Sequence, residues 1–384
     1  MIFGALIALL LTLSMQLPLL NQPSTSTTSL SGLAVPAATP LAWPKVGSAA
    51  VVIPSLGVAR DWHDTTVPIA SLTKLMTAYV TLQKLPLAIG QTGPCLRVTA
   101  ADVLYYDDIE RQGESSAAVA AGEVLCESTL LDGLLVHSAG NFATLLARMT
   151  WGSTPAFVAQ MNIDARALGL THTHYVDTSG VDPGSVSTAL EQGRLAAILM
   201  DSPVVRDIVD QPSVTLPVAG TLGSYTPFVG MDNVVGVKSG RTDSAGGCDV
   251  MAMTFVLNGR VEVAYAVVLG ARGGDLLGPA GDEALALEHS VVNSERLLHF
   301  KAGEVVGTLG WGSRRSDVVL SSPLTLEWFS SLDSSNLSVT IDAERSAVAP
   351  GEVVGMLNVA GAGDHVALTV TRRVTPESLF ERLR

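Results

Sequence analysis

At 384 residues the chain is longer than one average core and suits more than one domain. Hydrophobic residues make up 47% and charged ones only 15%, which excludes a disordered polymer. A formal net charge of -13 opposes phosphate backbones, so no nucleic-acid partner is expected.

The first charged side chain is Lys45. Ile2 to Leu20 are almost wholly apolar, broken only by Thr12, Ser14, Gln16 and Pro18. Residues 1–20 therefore read as a signal peptide or a membrane anchor, with export implied by either and cleavage left open. Residues 21–44, rich in Ser, Thr and Pro, read as a flexible linker. Ordered sequence begins at Ala49–Ile53, a strand. After Pro68 a helix carries Leu72, Leu75, Met76, Tyr79 and Leu82 on apolar spacings. Residues 98 to 149 are mainly helical, with a break at Ser138-Ala139-Gly140. Thr188 and Glu191 have the spacing of a capping box that opens a helix running to Met200.

Asn233 to Lys238 is expected to be a strand. Two further apolar runs, 248–257 and 260–270, flank Asn258-Gly259, a strong hairpin signal. Asp282 to Phe300 reads as a closing helix. Beyond it, G-E-V-V-G-x-L occurs at Gly303–Leu309 and again at Gly351–Leu357, and 337–342 and 365–371 alternate like strands. A catalytic-sized domain at 45–300 and a small β-rich domain at 301–384 are expected.

The three cysteines, Cys95, Cys126 and Cys248, show no C-x-x-C spacing. In an exported chain Cys95 and Cys126 can form a disulfide; the alternative is three small buried thiols. His172 and His174 lie two apart without a third ligand, so neither a metal nor another cofactor is expected. His137 adjoins Ser138, but adjacent helical residues point apart, which favours a structural role.

Three short motifs occur in order: Ser71-Leu72-Thr73-Lys74, Ser138-Ala139-Gly140-Asn141 and Lys238-Ser239-Gly240. Ser71 stands at the entrance of an apolar helix, where free N–H groups favour developing negative charge. Lys74, three residues on, shares its face. Burial and a second cation, Lys238, would lower the Lys74 pKa enough to make it a base. Lys238 and Ser239 suit an anionic terminal carboxylate, Gly240 admits close approach of substrate backbone, and the N–H groups of Ser71 and Arg241 suit an oxyanion.

In PIASLTKLMTAYV, GLLVHSAGNFATLLA, THYVDTSGVDPGSVST and VVGVKSGRTDSAGGC the chain is similar to the low-molecular-mass penicillin-binding serine D-Ala-D-Ala carboxypeptidases, across roughly residues 45 to 290. The resemblance implies an α/β (α+β) transpeptidase/β-lactamase-like domain, with an antiparallel sheet flanked by helices, followed by a small C-terminal β domain. It implies an acyl-enzyme on Ser71, Lys74 as base and Ser138 as proton shuttle. The implied reaction releases the terminal D-alanine of peptidoglycan stem peptides, outside the cytoplasm. β-Lactams would acylate the same serine. Two departures stand out. Lys238-Ser239-Gly240 has Ser where Thr is commoner. The ungapped register, preferred because it keeps the Leu134-Leu135 and Leu145-Leu146 framing, puts Gly140 where the family has Asn and leaves Asn141 one residue late as a candidate substrate contact. A shift by one aligns Asn141 but replaces the serine by Ala139, so either register lacks one side chain of the pair. That loss motivates an alternative, a slow or non-catalytic peptidoglycan-binding scaffold. A class A β-lactamase is disfavoured, because no E-x-x-x-N lies between Ser138 and Lys238.

Overall fold

Ser48–Ile53 is buried at every position, the pattern of a strand covered on both faces. It is β1 of a five-stranded sheet in the computed structural model, which describes residues 24–26, 39–257, 259–311, 314–329, 337–341, 347–359 and 365–375. The apolar segment 1–20 and Asn258 lie outside the described residues. No helix among the described residues is long and apolar enough to cross a membrane.

The remaining strands are β2 (Val58–Trp62), β3 (Val234–Thr242), β4 (Gly246–Leu257) and β5 (Arg260–Ala271). Their order is β3-β4-β5-β1-β2, antiparallel throughout. The expected hairpin is present: Leu257 pairs with Arg260, and Gly259 takes a φ of +72°, which glycine adopts without steric cost. Strand β3 is an edge, so its outer side is open to other groups.

Helices α1 (Thr73–Lys84), α2 (Ala100–Arg111), α3 (Glu127–Leu135), α4 (Gly140–Trp151), α5 (Thr154–Ala167) and α6 (Ala189–Leu199) follow β2. Their apolar sides join Ala50, Val52, Val250, Ala252, Val267 and Leu269 of the sheet in one core. Helix α7 (Leu277–Val292) packs on β4 and β5 through buried Ala284, Leu287 and Val291. Thr188 caps α6 by accepting from Glu191 N, but the reciprocal half of the expected box is absent. The Glu191 carboxylate accepts instead from His172 N and Thr173 Oγ1 and pairs with the His172 ring.

The expected helix 282–300 ends at Val292, and Glu295–Phe300 is a strand paired with Leu324–Phe329. Leu298 and Phe300 face a core while Leu297 is exposed, and that period of two wins over a helical continuation. The chain divides into two compact units, Pro40–Asn293 and a second made of 1–39 with Ser294–Arg384. Three residues of the expected linker, Ser24–Ser26, form a strand antiparallel to Val305–Trp311 in the second unit. The repeated G-E-V-V-G-x-L segments build matching strands. Each begins at a glycine of positive φ, Gly303 and Gly351, after which Glu304 and Glu352 accept from the backbone N–H three residues earlier. Each strand then carries an irregularity, between Val305 and Gly307 and between Val353 and Gly355. Val306, Leu309, Val354 and Leu357 enter one core.

Candidate active site

Ser71 lies in a short 3-10 turn, Ala70–Leu72, that runs directly into α1. Ala70 has a φ of +47°, rare for a residue with a side chain, so the backbone at the helix entrance is locally strained. The spacing of three residues brings Lys74 under Ser71, and Lys74 Nζ donates to Ser71 Oγ at 2.7 Å. Lys74 is 1% exposed. Burial pulls its ammonium down to about 8, and the carboxylates of Asp177 and Glu114 partly oppose that fall.

The Thr178–Gly180 turn closes the other side of the lysine. Lys74 Nζ donates to Ser179 O at 2.9 Å, and Thr77 Oγ1 donates to Thr178 O at 2.7 Å. Gly180 has a φ of +82°, and a Cβ there would lie 1.7 Å from Ala70 O, so only glycine lets the turn reach the strained helix entrance. Asp177 holds the turn together by accepting from Gly180 N, Ser185 Oγ and Asp182 N. Thr178 and Ser179 come from 101 and 105 positions downstream of Thr77 and Lys74.

Edge strand β3 supplies the third wall. Lys238 pairs with Val250 and Gly240 with Cys248, both on the face of β4 that shares a core with Leu72, Leu75 and Met76, so Lys238 and Gly240 project toward α1. Lys238 is fully buried, and its Nζ donates to Ser239 O at 2.9 Å. Burial and then the nearby Lys74 charge push its ammonium well below the ordinary lysine range, against the opposing carboxylate of Asp249. Ser239 Oγ donates to Tyr225 O at 2.8 Å. A Cβ at Gly240 would lie 2.5 Å from Ser71 N, so the missing side chain is what lets the strand meet the serine. Arg241 is exposed, with Nη1 donating to Asp275 O.

Ser138 sits in the break between α3 and α4 with a φ of +61° and 2% exposure. Its Oγ is buried and has no hydrogen-bond partner among the described residues. Gly140 starts α4, and a Cβ there would point at Ser115 O and at Ser179, the residue whose carbonyl accepts from Lys74. Asn141 does not join this group. Its Oδ1 accepts from Ala117 N at 3.1 Å and its Nδ2 donates to Ala117 O at 2.8 Å. A side chain at position 140 would meet Ser115 O first and Ser179 next, while the Asn141 amide is bonded to Ala117. His137 stacks on Tyr225 and its Nδ1 contacts Gly223 O.

Sequence reading missed Glu114, Asp177, Ser179 and Gly180. A carboxylate or glycine in a loop carries no local sign of which lysine or carbonyl it will meet. The Asp177-Thr178-Ser179-Gly180 string was a visible turn signal, but its partners are set by tertiary packing. Cys95 and Cys126 face each other on paired strands and form a disulfide, and Cys248 is a free buried thiol. Among the described residues no group of His, Cys, Asp or Glu could hold a metal ion.

An antiparallel sheet with helices on both faces, and a serine bonded to a buried lysine at a helix entrance, define the class of penicillin-binding serine peptidases. The chain belongs, more narrowly, to the D-alanyl-D-alanine carboxypeptidase family, peptidase S11, whose model matches residues 58–273. It is 32% identical over 208 residues to a D-alanyl-D-alanine endopeptidase of Pseudomonas aeruginosa, covering 50% of this chain and 61% of the relative. It is 29% identical over 218 residues to the D-alanyl-D-alanine carboxypeptidase DacC of Escherichia coli, covering 56% of this chain and 53% of the relative. The chain thus spans little more than half the length of these two curated relatives. Its fold is similar to that of penicillin binding protein 5 from Haemophilus influenzae, with a TM-score of 0.60 at 19% identity over 88% of this chain and 98% of that one.

Proposed function

We propose that the protein is an exported serine D-Ala-D-Ala carboxypeptidase acting on peptidoglycan stem peptides. The observation that carries this reading is the 2.7 Å contact between Ser71 Oγ and the buried Lys74 Nζ. With a pKa near 8, a useful fraction of Lys74 is the neutral amine at neutral pH, and that amine takes the Ser71 proton as Oγ attacks the carbonyl of the penultimate D-alanine. The N–H groups of Ser71 and Arg241 stabilise the oxyanion. Lys238 and Ser239 hold the terminal carboxylate. Ser138, whose hydroxyl has no protein partner among the described residues, relays a proton to the leaving D-alanine nitrogen. Water then attacks the acyl-enzyme, giving the shortened peptide and free Ser71. β-Lactams acylate the same oxygen. The disulfide is consistent with an oxidising compartment, and the apolar 1–20 segment with export and membrane attachment.

The test is labelling by a fluorescent penicillin together with D-alanine release from a peptide ending in D-Ala-D-Ala. Wild type is expected to do both and Ser71→Ala neither; a wild type that never labels sinks the proposal. Glycine at position 140, where a side chain would face Ser179, favours one competing reading, a scaffold that binds peptide without cleaving it. Peptide binding that persists in Lys74→Ala, with no D-alanine released by wild type, would select that reading. Cleavage of cross-linked peptide dimers without D-alanine release would instead select an endopeptidase.

A further inference from the structure

The segment after α2 is fastened to the head of α4 at several points. Gly140 N donates to Ser115 O at 2.8 Å, and the Asn141 amide clamps both the N–H and the carbonyl of Ala117. Asn141 is 2% exposed, so these bonds are sheltered from water. Glu114 immediately precedes the fastened stretch, and its own N donates to Ile109 O. Its side chain lines a cavity of about 520 Å³ together with Asp177, Thr178 and Ser179. Ser179 is the residue whose carbonyl accepts from Lys74.

We propose that Asn141 is a positioning residue that, by clamping Ala117, holds Glu114 in the cavity that Ser179 also lines, from which its carboxylate supports proton transfer from Ser71 to Lys74. This inference rests on the carboxypeptidase reading. When Lys74 takes the Ser71 proton it becomes a buried ammonium, and an anion held nearby stabilises that product of proton transfer. The titratable groups near Lys74 are Glu114 from the fastened segment and Asp177 from the 177–180 turn, whose carboxylates raise its pKa, and Lys238 from β3, whose own ammonium is disfavoured by burial and by Lys74. Those facing Glu114 are Lys74, Asp177 and Asp108 of α2, and Asp182 lines the same cavity. Asp177 is already engaged by three hydrogen bonds that shape its turn. Glu114 is half-buried, held up in pKa by burial and by Asp177 and Asp108, and drawn down by Lys74.

The experiment is the pH dependence of second-order acylation by a fluorescent penicillin, in wild type, Glu114→Gln and Asn141→Ala, with thermal unfolding to check the fold. The wild-type rate is expected to fall below about pH 8 as Lys74 becomes charged. Removing the Glu114 anion lowers the Lys74 pKa, so the acid limb of Glu114→Gln moves down by about half to one pH unit. Its plateau falls about threefold, because the ammonium formed in the step loses support. Asn141→Ala moves the limb in the same direction. If Asn141→Ala fails to fold, Asn141→Asp, which keeps the acceptor for Ala117 N, takes its place. A Glu114→Gln profile that superimposes on wild type overturns the inference while leaving the carboxypeptidase reading intact. A folded Asn141 variant with the wild-type limb overturns the positioning role. A wild type that labels at no pH overturns both.

Discussion

Ser71 and Ser138 both stand at backbone kinks, with φ of +47° at Ala70 and +61° at Ser138 itself. Their hydroxyls meet opposite surroundings. Ser71 Oγ is half-buried and bonded to Lys74, whereas Ser138 Oγ is buried with no partner among the described residues. The first corner comes from one helix entrance, where sequence spacing alone brings two side chains together. The second comes from a break between helices whose polar groups depend on distant loops, and there the amide of Asn141 is turned to Ala117. At position 140 the second corner has a glycine, and the Ser71–Lys74 pair is formed all the same.

The largest expected effect breaks the first corner. Lys74→Ala should lower acylation by a fluorescent penicillin by about 10⁴-fold, because among the described residues Lys74 is the group that bonds Ser71 Oγ. Gly240→Ala comes next. Its new Cβ would lie 2.5 Å from Ser71 N, so strand and serine must part, at a cost of about 100-fold in acylation, read with the melting temperature as control. Ser138→Ala sharpens the comparison. It should cost about 30-fold in D-alanine release, below the usual effect of a proton-transfer group, while leaving stability equal or slightly higher. A buried hydroxyl without a protein partner adds desolvation cost and little else to folding.

The smallest effect lies away from both corners, at Glu127. Its carboxyl is fully buried, has no hydrogen-bond partner among the described residues and is pushed up to about 7 by burial. The folded pKa lies above the ordinary 4.5, so between these values the folded state binds more protons than the unfolded one. Stability is then lost as pH rises through that window, and the loss is complete above about 7. Glu127→Gln should therefore melt higher than wild type at pH 8, with the gap closing toward pH 4.5. A gap that is the same at both pH values would refute the assignment.

Much of the architecture was legible from short-range pattern. The run at 49–53, the helix after Pro68, the 257–260 hairpin and the repeated G-E-V-V-G-x-L strands all follow from period, turn chemistry and glycine placement. Where two periods competed, at 295–300, pairing with 324–329 chose the strand. The capping box at Thr188 was half right, because Glu191 had better partners in His172 and Thr173 than in its own helix end.

The approach of Lys74 to Ser71 is determined by the sequence itself, since residues three apart on a helical turn must share a face. The surroundings of that pair were decided only in three dimensions. Ser179 and Gly180 arrive from more than a hundred residues downstream, Gly240 from an edge strand, and Glu114 on a segment clamped by Asn141. The physical reason is that desolvation and the field at a buried amine depend on every group packed around it, and most of those groups are distant in the chain.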